Sequence, residues 1–132
     1  MKTPLSKKKS VSIKKSVIDS LLTYSQSVHP REGILLLRGK VKKDSVTITD
    51  IVIPPFATHG EGFSSFPLYT IPADFFIIGS AHSHPSGVLK PSLQDVTHLY
   101  GLITVIVGFP YSSEENVAVF DKEGEKTEFS VV

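Results

Sequence analysis

Apolar residues recur along this chain with two different periods. In KKSVIDSLLTYSQSV (residues 14–28), Val17, Ile18, Leu21 and Leu22, then Ser25, fall three and four apart and predict a helix with one buried face. His29-Pro30 ends it, because a residue that precedes proline is pushed out of the α region. Upstream, Val11–Ile13 reads as a short extended segment. EGILLLRGK (32–40) and SVTITDIVIP (45–54) are rich in branched apolar residues, and the polar KVKKD lies between them, the pattern of a hairpin.

The second half repeats the alternation of strand and helix. FFIIGSAHSH (75–84) predicts a strand of apolar and small residues, SLQDVTHLYG (92–101) a helix closed by Gly101, and LITVIVGFP (102–110) a strand buried on both faces. NVAVFD (116–121) and KTEFSVV (126–132) predict a closing strand pair around Asp121-Lys122-Glu123-Gly124. Residues 54–74, with four prolines and two glycines, show neither period and read as a long irregular segment, either functional or pinned by its own Phe63, Phe66 and Tyr69. Strands alternating with helices predict an α/β domain, a mixed β-sheet flanked by helices in layers.

A chain of 132 residues suits one such domain, expected over 11–132, with residues 1–10 as a flexible basic arm. The longest apolar runs, ILLL and FFII, are strand-length, well short of the roughly 20 residues of a membrane span. The N-terminus lacks the apolar stretch of a secretory signal, so the expected location is the cytoplasm. The net charge of +1 hides an asymmetry: six lysines precede Asp19, leaving eight basic against thirteen acidic residues in the remainder. The basic arm reads as a solvated terminus, and nucleic acid is not an expected partner.

Composition also narrows the chemistry. With no cysteine, a thiol nucleophile, a cysteine zinc site and an iron–sulfur cluster are all excluded. No G-x-S-x-G elbow occurs, and HGEGFSS has neither the lysine nor the strand-to-helix context of a phosphate-binding loop. A metal site here has to use histidine and carboxylate.

Such a site is suggested by GSAHSHPSGVLKPSLQD (79–95). On a strand His82 and His84 point to one side, where both can reach one ion, and Ser83 points to the other. Asp95, in the first turn of the following helix, sits at the edge of the apolar arc of Leu93, Val96, Leu99 and Tyr100 and can lean into a cleft, whereas His98 falls toward solvent. Ser92 and Asp95 also suit a helix cap, but capping leaves the histidine pair unexplained.

The run His82-Ser83-His84-Pro85, with Ser92-x-x-Asp95 beginning seven residues after Pro85, resembles the signature of the JAMM (MPN-plus) zinc metalloproteases. The likeness extends over nearly the whole chain, with an upstream glutamate at Glu32 opening a hydrophobic strand that ends in glycine. It implies a cytidine-deaminase-like layered fold in its minimal prokaryotic form. It also implies zinc held by His82, His84 and Asp95, Glu32 as general acid/base, and Ser92 stabilising the tetrahedral intermediate. From the residues alone Glu32 reads as an exposed strand-edge acid beside Arg31, and the resemblance is what sets it above Glu61. Members often carry a cysteine or another small residue after the glutamate, where this chain has GILLL.

The implied activity is an isopeptidase or peptidase acting after the C-terminal glycine of ubiquitin-like or sulfur-carrier-type proteins. Zinc brings the pKa of a bound water toward about 7 and polarises the carbonyl under attack, leaving a carboxylate to move the proton. An extended Gly-Gly tail adds along a strand edge, and Phe63 and Phe66 are expected to form one wall of its groove. Two other functions compete: a non-catalytic scaffold of the same fold, and a DNA-associated relative that uses the lysine arm.

Overall fold

A computed structural model describes residues 9–54, 58–60, 63–65, 76–91 and 101–132 of the chain. The predicted first helix is α1 (Lys15–Val28), which buries Val17, Ile18, Leu21 and Ser25. Ser25 is tolerated in that apolar stripe because its hydroxyl donates to the Leu21 carbonyl at 2.7 Å. The helix stops where the proline rule places the stop, with His29 already extended at ψ 136°.

The strands are β1 (Ser10–Ile13), β2 (Ile34–Val41), β3 (Ser45–Val52), β4 (Thr58–Gly60), β5 (Phe63–Ser65), β6 (Ile77–His84), β7 (Ile103–Gly108), β8 (Val117–Asp121), β9 (Lys126–Thr127) and β10 (Phe129–Val131). Eight of them form one mixed sheet in the order β10-β1-β3-β2-β6-β7-β8-β9. β1 runs parallel to β3 and β10, β6 runs parallel to β7, and the other pairs are antiparallel. The hairpin predicted over 32–54 is β2–β3, and the doubly buried strand is β7, all six of whose residues are buried.

Two expectations need correction. KTEFSVV does not pair with β8 as one strand: only Lys126 and Thr127 do so, and after Glu128 the chain joins β1 at the opposite end of the sheet order. A single intervening residue spans about 7 Å, so the first and last strands of the order are neighbours and the sheet curls almost closed. Within residues 54–74, β4 and β5 make a separate two-stranded ribbon, Thr58 opposite Ser65 and Gly60 opposite Phe63. Three-residue strands are too short to display a period. The helix predicted over 92–101 lies outside the described residues up to Tyr100, as does His98.

α1 lies on the concave face. Its Val17, Ile18 and Leu21 share one cluster with Val11, Ile13, Leu35, Leu37, Ile48, Ala81, Val105, Val107, Val117 and Val119 from six strands. Burying a branched side chain of this size stabilises by roughly 1.5–3 kcal/mol, so this cluster supplies the driving force for the curl. The opposite face carries a smaller cluster, Ile106, Ala118 and Phe120 against Leu89. Among the described residues no helix is long and apolar enough to cross a membrane. At the N-terminal edge, Ser10 opens β1, and the Lys9 ammonium donates to the Lys42 and Lys43 carbonyls at 2.6 and 2.7 Å.

Candidate functional site

β6 delivers both histidines to one end of the sheet. Ile34 of β2 pairs with His82, which pairs in turn with Ile106 of β7, so His82 and His84 project from the face opposite α1 while Ser83 projects toward it. Continuing the β2–β6 register sets Gly33 against Ser83 and Glu32 diagonally across from His82, within reach of a long side chain. The Glu32 Oε1 lies 3.6 Å from the His82 Nδ1.

All three side chains are buried: Glu32 is 7% exposed, His82 8% and His84 7%. This corrects the expectation of an exposed edge acid at Glu32. The side chain turns to the histidine face of the sheet, beside His82, a placement set by the pairing of β2 with β6 that the local sequence does not reveal. A buried carboxylate is uncommon and costs stability unless its surroundings compensate.

His84 is held in a defined tautomer. Its Nδ1 lies 2.9 Å from the Val88 carbonyl oxygen, which can only accept, so Nδ1 carries the proton and the lone pair of the neutral ring is on Nε2. The turn after Pro85 makes this contact, with Gly87 at φ 82° and its N–H donating to the His84 carbonyl at 3.0 Å.

Several supporting residues were not singled out in the sequence. Ser83, between the histidines, accepts the Gly33 N–H on its hydroxyl at 2.7 Å, and its own N–H donates to the Gly33 carbonyl at 3.1 Å. Gly33, next to the glutamate, is closely packed: a β-carbon there would lie 2.6 Å from Tyr24 Cε2 and 2.9 Å from Val28 Cγ2 of α1. Burial raises the Tyr24 hydroxyl above its ordinary pKa, an effect partly offset by a backbone hydrogen bond from Ile34 and by Arg31. Strand alternation already turned Ser83 away from the histidines, but its partner was not visible.

The structure therefore brings Glu32, His82 and His84 together. Asp95, Ser92 and Phe66 lie outside the described residues, and of Phe63 only the backbone, at the start of β5, is described. Among the described residues no three histidine, aspartate or glutamate side chains form a complete metal-binding group. The arrangement that is described pairs two imidazole donors with a carboxylate placed to exchange a proton beside them.

Comparison with known proteins identifies the family and the fold. A probable metalloprotease from Haloferax volcanii is 35% identical over 129 residues, covering 92% of this chain and 80% of that protein. A structure described as JAMM, a metalloprotease-like zinc site in the proteasome and signalosome, superposes with a TM-score of 0.64 at 25% identity, covering 95% of this chain and 98% of that one. A JAB1/MPN domain protein from Archaeoglobus fulgidus gives a TM-score of 0.67 at 26% identity, covering 93% and 98%. A solution structure of a Desulfitobacterium hafniense protein shares the fold, with a TM-score of 0.73 at 17% identity and 92% coverage of each chain. The family described as prokaryotic homologs of the JAB domain matches residues 14–120, most of the chain and all of the described histidine–glutamate constellation. The chain thus belongs to the family of prokaryotic homologs of the JAB domain and has the JAMM/MPN metalloprotease-like fold.

Proposed function

We propose that this protein is a zinc-dependent metallopeptidase that cleaves the bond after the C-terminal glycine of a ubiquitin-like or sulfur-carrier-type protein. The observation that carries this reading is the buried Glu32 carboxylate 3.6 Å from His82, at the strand end that also presents His84. The donor set suits zinc, because a neutral imidazole whose Nδ1–H is tied to a carbonyl offers its Nε2 lone pair outward. His82, His84 and Asp95 are the residues assigned to hold it. Bound there, zinc supplies Lewis acidity and makes a water acidic enough to lose a proton near neutral pH.

The remaining work falls to the chain's own residues. Glu32 accepts a proton from the attacking water as the new carbon–oxygen bond forms, and returns it to the amine nitrogen as the carbon–nitrogen bond breaks. Burial keeps that proton from bulk solvent. Ser92 donates a hydrogen bond to the carbonyl oxygen as negative charge develops on it. Phe63 and Phe66 flank the extended Gly-Gly tail. The substrate class rests on the resemblance of the His-Ser-His-Pro and Ser-x-x-Asp signature, and the likeness to a probable metalloprotease supports proteolysis.

The test is incubation of the purified protein with zinc and a panel of Gly-Gly-tailed conjugates, alongside Glu32→Gln. Cleavage by the parent, and loss of cleavage with zinc retained in the variant, is the expected outcome. Equal cleavage by both removes Glu32 from the chemistry. Zinc retention with no conjugate cleaved by the parent argues for a scaffold.

A further inference from the structure

Glu32 is held between two anchors, and only the downstream one, Gly33 on Ser83, belongs to the strand pairing. Upstream, the chain leaves α1 and passes His29, whose ring lies on the turn that follows β7. The His29 Nδ1 shares a hydrogen bond with the Tyr111 hydroxyl at 2.8 Å. The same ring stacks on Phe109 with centroids 4.9 Å apart and meets Tyr111 edge-on at 5.5 Å.

That turn also reaches the histidine pair. Gly108 stands opposite His84 in the β6–β7 register, and the Phe109 N–H donates to the His84 carbonyl at 3.1 Å. Gln26 of α1 adds a third strut, its side-chain amide donating to the Tyr111 carbonyl at 2.6 Å. One short turn, Gly108–Tyr111, thus contacts both the strand that carries the two histidines and the segment that leads into the glutamate.

Tyr111 occupies its place at a conformational cost. It is 1% exposed and sits at φ 56°, a left-handed backbone that aromatic residues rarely adopt and that persists only where surrounding contacts over-determine it. A phenylalanine would fill the same space. What the hydroxyl adds is the bond to His29, an exposed side chain three residues before Glu32.

We propose that the Tyr111–His29 pair is a positioning clamp that sets where Glu32 stands relative to His82 and His84. The proposal rests on the reading of Glu32 as the proton carrier. Both are positioning residues: the clamp fixes the backbone on one side of Glu32 as Ser83 fixes it on the other. A displacement of about 1 Å in such a group can lower turnover by up to about 100-fold.

The experiment compares the parent with Tyr111→Phe, His29→Ala, His29→Asn and Glu32→Gln. On a cleaved Gly-Gly conjugate, Tyr111→Phe and His29→Ala are expected to lower kcat by about 10- to 100-fold while KM and zinc stoichiometry stay unchanged. His29→Asn, whose amide replaces Nδ1 as a hydrogen-bond partner, is expected to recover part of the loss. On the metal-free protein, hydrogen exchange at the Arg31 and Gly33 amides is expected to quicken in Tyr111→Phe, while the β7 amides remain protected. Parent-level kcat in Tyr111→Phe with Glu32→Gln inactive overturns the clamp alone. Full activity in Glu32→Gln overturns the proton-carrier reading and the clamp with it. If no conjugate is cleaved, exchange decides, and unchanged protection at Arg31 and Gly33 overturns the clamp.

Discussion

The Ser83 hydroxyl accepts the Gly33 N–H at 2.7 Å, so the residue between the two histidines holds the residue next to the glutamate. Strand alternation puts the imidazoles on one face of the sheet and this tether on the other. The placement of the two imidazoles and that of the Glu32 segment are therefore set from the two sides of a single three-residue segment. Ser83→Ala leaves a buried N–H without its acceptor, at a cost of about 1–3 kcal/mol. The expected result is a lower urea midpoint with an unchanged slope, together with a fall in turnover.

Gly33 tolerates no side chain. Gly33→Ala places a methyl carbon 2.6 Å from the Tyr24 ring and 2.9 Å from Val28, and overpacking of this kind costs roughly 1–3 kcal/mol. Pairing it with Tyr24→Leu is expected to restore part of the stability, giving a non-additive double-mutant cycle. Additive losses in chemical denaturation would show that the clash is relieved elsewhere.

Zinc is expected to stabilise the parent by about 2.7 kcal/mol at a free concentration 100 times its Kd, read as an upward shift of the thermal midpoint. His84→Ala removes one of the two described imidazole donors and is expected to abolish the shift. The metal-free variant should still unfold cooperatively, because the larger core cluster on the α1 face does not include His84. An equal zinc shift in both proteins would remove His84 from the metal site.

At alkaline pH two tyrosines report on the fold. Burial raises both Tyr24 and Tyr111 above the ordinary value of 10.0. The unfolded chain therefore releases these protons first, and their contribution to stability is fully present below pH 10 and is lost as the pH rises through the folded-state values. Denaturation midpoints are expected to fall above pH 10, and Tyr111→Phe should flatten part of that slope. A midpoint independent of pH in that range would mean that the phenols are not sequestered.

Much of this molecule was legible in its sequence. Helical spacing located Val17, Ile18, Leu21 and Ser25 on the buried face of α1, and period-2 alternation put His82 and His84 on one side of β6. The apolar run of 102–110 marked β7 as buried on both faces. These are local properties, since side-chain direction follows from backbone periodicity over a few residues.

What remained hidden depends on segments far apart in the chain. β10 pairs with β1 across more than a hundred residues, Glu32 is buried on the histidine face beside His82, and Tyr111 reaches His29 where the end of α1 meets the turn after β7. The ribbon of β4 and β5 was too short to announce itself. By itself the sequence determined the types of the elements, the facing of the histidines and the chemistry the chain could offer, because each depends on residue identity and short-range geometry. Tertiary structure alone decided that Glu32 stands beside His82, that Gly33 has no room for a methyl group, and that one turn joins both halves of the site. Those contacts exist only once a curved sheet has wrapped around a helix, and no local period encodes that curvature.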